Sequence, residues 1–337
     1  QSMYSTNRRQ RMRYSPLSAQ AAEHYRESVA GSVGTEPPTE RQLRNVAEVL
    51  KAQFDSGAHV FGALRRVAGA WVGAGGTLTV PWRGVPQSPI NTEVDGARRF
   101  VAQSWPFARI RAVGKALDGT FNDAVLAMCA GALRSYLKEM HGLPRESLKA
   151  MVPVSLRRPD DVDSSNAVGA ISADLATHLR DPVRRFRAIQ ASVQAGKELF
   201  NELSTAEAQL IMELLQLPSL FLAPLGLTSR FPPYSTVISN VPGPRKPMYW
   251  NGARLEGLYP ASIVFDGFAL NITLVTCVDQ VDFGIIACRR TLPQVQRFID
   301  HLEDSLVELE AAAGLRKSAG KRRMPAKKKK TARRKHG

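Results

Sequence analysis

A Ser–His–Asp or Cys–His enzyme needs a base within hydrogen-bond reach of its nucleophile. The histidines available for that role are His24, His59, His141, His178, His301 and His336. No two are adjacent, and none falls in an HExxH or a zinc-binding spacing, so no metal site is expected. His141 stands at a helix end, where a cation suits the helix dipole, and His336 lies in a basic tail. The pair Asp160-Asp161 sits in a charged loop and reads as solvated. Gly73-Ala74-Gly75-Gly76 is not GxGxxG, and no strand precedes it, so it does not read as a phosphate cradle. What remains is amide and carboxylate chemistry. Asn122-Asp123 opens an apolar helix: a first-turn carboxylate suits the dipole, and the polar pair also stands where a substrate could reach it. Asn240 and Asn271 are amides inside apolar strands. A buried amide must find partners, so each either fixes a sheet or donates to a ligand.

The elements that must position these residues follow from periodicity. The stretch 235–288 has four β-rich runs broken by Pro, Gly and Asn: YSTVISNV, RLEGLYPAS, FALNITLVTC and VDFGIIAC. The last two are joined by Asp279-Gln280, which predicts a tight hairpin. Asn240 before Pro242-Gly243-Pro244, Tyr259-Pro260 and Asp282-Phe283-Gly284 are unusual for plain scaffold. Upstream, Ser18–Val29 reads as a short helix and residues 31–38 as a linker. Helical spacing then runs from Thr39 to about Val72, with basic flanks that fit either a packing helix or one lying on a lipid surface. Strands are expected at 97–105, 149–156 and 166–175, with a loop at 81–91 and a short helix at 107–117. Thr120 reads as the N-cap of a helix to Glu139. Asp181-Pro182 starts a helix to 201, two helical pieces follow near 205–216 and 219–227, and a last amphipathic helix covers 293–312. The apolar run 214–227 reads as core or as a lipid-facing surface.

The 337 residues carry a formal net charge of +16, but roughly ten of the positives crowd into Lys321–Lys335 and more into Arg8–Arg13. The charge describes the ends rather than a site. The tail at 316–337 buries nothing and is expected to be disordered. It suits anionic headgroups as well as nucleic acid, and without interleaved aromatics specific nucleic-acid binding is not expected. Cys129, Cys277 and Cys288 form no CxxC and read as buried thiols of a reducing compartment. No apolar run reaches the ~20 residues of a membrane span.

The order of several pieces resembles a known family. They are SPIN (Ser88–Asn91), Arg98-Arg99-Phe100, TFNDAVLAMCAGALRSYL (Thr120–Leu137), AMVPVSLR (Ala150–Arg157), Asn166, DPVRRFRAI (Asp181–Ile189), VISNVPGP (Val237–Pro244), LYP (Leu258–Pro260), ALNIT (Ala269–Thr273) and DFG (Asp282–Gly284). Over roughly residues 86–310 they resemble the C-terminal half of bacterial wax ester synthase/diacylglycerol acyltransferases. The resemblance implies an α/β fold, a mixed sheet flanked by helices as in CoA-dependent acyltransferases, forming the C-terminal half of a two-domain architecture. It divides the chain into an N-terminal-domain end and linker (1–38), a helical crossover (39–80), the acyltransferase domain (81–315) and the tail. It implies acyl transfer from acyl-CoA, as co-substrate, to diacylglycerol or a long-chain alcohol, giving triacylglycerol or wax ester, with no other cofactor. The family's general base lies in an HHxxxDG motif that this sequence lacks. The chain is therefore expected to start just after that motif and to need an N-terminal half carrying it. No catalytic residue is expected in the chain itself. Asn122 and Asp123 match the family's site-supporting pair; Asn240, Asn271 and Asp282 are channel or structural candidates. The expected location is cytoplasmic, peripheral to membrane or lipid inclusions. A different class stays open: a non-catalytic acyl-CoA or lipid-surface binding module.

Overall fold

The computed structural model describes residues 58–155, 168–201 and 203–316. The expectations for residues 1–57, for Asp160-Asp161, for Asn166 and for the basic tail lie outside these residues. The described part of the expected 39–72 helix is α1 (Ala58–Val72).

A six-stranded mixed sheet forms, in the order β1-β8-β7-β4-β2-β3. Its strands are β1 (Arg98–Pro106), β2 (Lys149–Ser155), β3 (Val168–Asp174), β4 (Thr236–Pro242), β7 (Leu270–Cys277) and β8 (Gln280–Cys288). Three of the four inner strands, β2, β4 and β7, run parallel; the fourth, β8, and the two outer strands, β1 and β3, are antiparallel to their neighbours. Alternation sorts the side chains. Leu270, Ile272, Leu274, Phe283, Ile285, Ile238 and Ile171 enter the main core, with α2 (Phe107–Ala116), α3 (Phe121–Glu139), α4 (Pro182–Asn201) and α6 (Gln296–Ala312) above them. The opposite face presents Met151, Val237, Ser239, Asn271 and Thr273 beneath a long connecting segment and the end of α5 (Thr205–Leu222). A second core cluster joins α1 to α5 through Val60, Ala63, Val67, Leu210 and Ile211. The mixed sheet flanked by helices is thus the architecture that the sequence implied.

α3 begins as its sequence predicts. Thr120 accepts from the Asp123 amide, and Asp123 Oδ2 accepts in return from the Thr120 amide and hydroxyl, both at 2.8 Å. α2 is held by a fork: Arg109 pairs with Glu303 and Glu310 of α6, at 3.0 and 2.8 Å, and these carboxylates raise the guanidinium's pKa. The three cysteines are buried and free, and burial pushes the Cys129 thiol up to about 12.

Three expectations are corrected. The RLEGLYPAS run is not a strand. Only Ala253–Arg254 (β6) pairs, with Tyr249–Trp250 (β5), and 255–264 runs irregularly across the sheet. The Leu255 amide donates to the Met248 carbonyl, Asp282 takes the Leu258 amide, and Pro260 has no amide to offer a ladder. The two pieces expected around Pro218 form one helix, α5, with Pro218 inside it. Proline's fixed φ is compatible with helix, so the helix continues past Pro218 to Leu222 at the cost of one missing amide bond and crowding against the carbonyl four residues back. The β7–β8 turn is Val278-Asp279, one residue earlier than expected, because Cys277 pairs with Gln280.

That shift places Val278 at φ 55°, a conformation costly for a β-branched residue. Val278→Gly is therefore expected to raise stability by about 1 kcal/mol, relief of strain exceeding glycine's entropy cost. Urea unfolding monitored by circular dichroism checks this; a lower midpoint would refute it.

Candidate functional site

Two cavities flank the parallel strands, and Pro153 of β2 lines both. The first, about 1190 Å³, lies outside the carboxyl ends of β2, β4 and β7. In α/β sheets this is where ligands characteristically bind. Val154, Asn240, Pro242–Arg245, Thr276 and Val278 form its floor, with Asn122 at the start of α3, Phe107 and Arg111 of α2, and Lys197 and Phe200 of α4 around it. Arg111, Lys197 and Arg245 bring three positive charges, and among the described residues no carboxylate lines this space. The start of a 19-residue helix at Asn122 adds the partial positive end of its dipole. Asn240 Nδ2 donates to Asn122 Oδ1 at 2.7 Å, tying the floor to the helix, while Asn240 Oδ1 meets no hydrogen-bond partner among the described residues.

The second cavity, about 900 Å³, opens on the other face of the sheet. Trp82, Met151, Tyr234, Val237, Ile263, Phe265 and Phe268 make it largely apolar, with Ser239, Asn271 and Thr273 as polar points on its floor. Asn271 Oδ1 accepts from Thr273 Oγ1 at 2.9 Å. Burial holds the Tyr234 hydroxyl well above its ordinary pKa, so it is a neutral group beside this space.

The five candidates read from the sequence fall in different places. Asn122 and Asn240 meet at the polar cavity, and Asn271 lines the apolar one. Asp123 is 3% exposed, lines neither, and closes its own helix cap. Asp282 is fully buried behind the apolar cavity, holding Ser104 and Leu258. Among the described residues no histidine lines either cavity: His59, His141 and His178 are exposed, and His301 meets Glu139 at 3.0 Å. The cationic trio was not foreseen. Arg111 and Lys197 come from two helices and Arg245 from the loop after β4, and no local spacing joins them.

The family description "Wax ester synthase/diacylglycerol acyltransferase catalytic domain" matches residues 1–125, and "WS/DGAT C-terminal domain" matches 164–310. The chain belongs to the wax ester synthase/diacylglycerol acyltransferase family. A Mycobacterium tuberculosis (strain CDC 1551/Oshkosh) protein named as a diacylglycerol O-acyltransferase is 51% identical over 239 residues, which is 71% of this chain and 53% of that relative. The O-acyltransferase WSD of Acinetobacter baylyi is 45% identical over 66% of this chain and 48% of its own length. The solved wax ester synthase/diacylglycerol acyltransferase of Marinobacter aquaeolei VT8 superposes with a TM-score of 0.66 at 36% identity, over 93% of this chain and 63% of that one. The chain thus spans about half the length of the curated relatives it matches.

Proposed function

We propose that this chain forms the substrate-holding half of a lipid O-acyltransferase that moves a fatty acyl group from acyl-CoA to diacylglycerol or a long-chain alcohol. The observation that carries the reading is the pair of cavities sharing Pro153: one cationic and polar, one apolar. An acyl-CoA is a polyanion joined to an alkyl chain, and its acceptor is alkyl with one hydroxyl. The cationic space suits the phosphates and the apolar space the aliphatic parts. A base on an N-terminal HHxxxDG half removes the acceptor's hydroxyl proton as its oxygen attacks the thioester carbonyl. The tetrahedral adduct collapses, the C–S bond breaks, and CoA leaves as thiol with the proton returned through the base. Asn122 and Asn240 hold the wall beside the thioester; Asp123 keeps the helix that carries Asn122 in place.

The test is transfer of labelled palmitoyl-CoA to diacylglycerol and to hexadecanol, with this chain alone and with an HHxxxDG-bearing half added. Product only on addition supports the reading. Product from the chain alone places a base within it, and no product in either case favours the non-catalytic acyl-CoA-binding alternative.

Peripheral attachment to a lipid surface is part of the same reading. No described helix is long and apolar enough to cross a membrane. On α1, however, Phe61 and Val72 are 70% and 80% exposed and Trp71 is also exposed, beside Arg65 and Arg66. Aromatic residues flanked by arginine suit an interface of anionic headgroups. Phe61→Asp with Trp71→Asp is expected to lower binding to phosphatidylglycerol vesicles by about tenfold or more, read by sedimentation. Equal binding would remove α1 from the contact.

A further inference from the structure

The LYP and DFG sequences, 24 residues apart, lock together. Asp282 Oδ2 accepts from the Leu258 amide at 2.7 Å, and its Oδ1 accepts from Ser104 Oγ at 2.6 Å. Ser104 Oγ also meets the Tyr259 hydroxyl at 2.8 Å. Gly284 completes the seat: a Cβ there would stand 1.8 Å from the Pro260 carbonyl oxygen, so only glycine lets that backbone lie directly on β8. Directly downstream of Pro260, the residues Ala261–Ile263 and Phe265 form a wall of the apolar cavity. The far end of this wall is tied separately, by Asp266 to the Val94 amide and by the Gly267 amide to Thr92. The segment is thus a strap held at both ends across the sheet face, and its near anchor is a buried carboxylate that itself lines neither cavity.

We propose that Asp282, with Gly284, is a positioning residue that sets the depth of the apolar cavity and thereby the length of aliphatic chain it accepts. This rests on the reading that the cavity takes an aliphatic chain. Loosening the near anchor moves the strap while the cavity floor, made of β2, β4 and β7, stays fixed. The consequence is a changed length limit rather than a uniform loss of affinity. Each methylene that gains or loses its place is worth roughly fourfold in affinity.

The experiment measures displacement of a nitroxide-labelled stearate by unlabelled fatty alcohols of eight to eighteen carbons. It is read as recovery of the fluorescence of Trp82, which lines this cavity, by difference against Trp82→Phe. Wild type is expected to bind more tightly with each added carbon up to a limit. Asp282→Asn and Gly284→Ala are expected to shift that limit, changing the ratio of longest- to shortest-chain affinity by about fifteenfold, the worth of two methylenes. Leu302→Ala, in the core on the opposite face, lowers stability and is expected to leave the ratio unchanged. If the β8 variants do not fold, Tyr259→Phe deletes one bond of the anchor and Ser104→Ala two, both at less buried positions, and both are expected to shift the limit in the same sense. An unchanged ratio in folded anchor variants overturns the proposal while leaving the cavity reading intact. Wild type that binds no alcohol overturns the cavity reading, and the proposal with it.

Discussion

Replacing Asn91 by leucine is expected to lower the unfolding free energy by several kcal/mol, on the order of 4. The side chain is 1% exposed and its Nδ2 donates to three backbone carbonyls, of Tyr234, Ser235 and Gly267, at 3.0–3.1 Å, while Oδ1 accepts from Ser88 Oγ at 2.8 Å. Leucine matches the volume but supplies none of these bonds. Buried carbonyls left unpaired cost about 1–3 kcal/mol each, which outweighs the gain from burying an apolar side chain. These carbonyls belong to the two residues that lead into β4 and to the turn before β7, so the loss would loosen the segment that reaches the apolar cavity through Tyr234. Guanidinium unfolding of Asn91→Leu beside Ser88→Ala checks this. Ser88→Ala removes one bond and is expected to cost about 1 kcal/mol; near-equal midpoints for the two variants would contradict the account.

The second large effect is electrostatic. Lys197→Glu with Arg245→Glu is expected to weaken CoA binding by about tenfold or more at low ionic strength, with the gap narrowing as salt rises. The two residues face one space that, among the described residues, holds no carboxylate, so reversal changes the sign of its wall. Arg245 is exposed and therefore screened, whereas Lys197 is half-buried and is expected to carry more of the effect. Titration calorimetry with CoA and with 3′-dephospho-CoA measures it. If both variant and wild type bind CoA alike across salt concentrations, the cationic cavity is not where the donor's phosphates rest.

What was legible in the sequence was local. The Thr120 cap, the Asp181-Pro182 helix start and the β7–β8 hairpin each announce themselves within a few residues, and each forms. The turn was misplaced by one residue because Val278 takes a left-handed conformation that residue type argues against; pairing of the flanking strands overrode the preference. RLEGLYPAS has strand-like composition, yet its fate is decided by Asp282 and Gly284 on a neighbouring strand. The two motifs stood out separately, and only the β1–β8 register, which sets Ser104 opposite Asp282, shows why they belong together. The cations of the polar cavity were invisible for the same reason: two helices and the loop after β4 bring them together, and no spacing along the chain encodes it. Asn122 and Asn240, 118 residues apart, were both singled out, but their mutual hydrogen bond was not.

The sheet order also governs how the chain can assemble. Among the described residues β1 is an edge strand whose one neighbour is β8, so Arg98 waits for Cys288 before it has a partner. The parallel pairs β2–β4 and β4–β7 likewise join distant segments. Such non-local pairing slows folding and leaves strand edges bare while synthesis proceeds. Of the described strands, those of the hairpin Leu270–Cys288 emerge from the ribosome last, and they give β1 and β4 their missing neighbours. Nascent chains halted before Gln280 would therefore carry an unpaired β1, and chaperone dependence should fall sharply once the final strand is free.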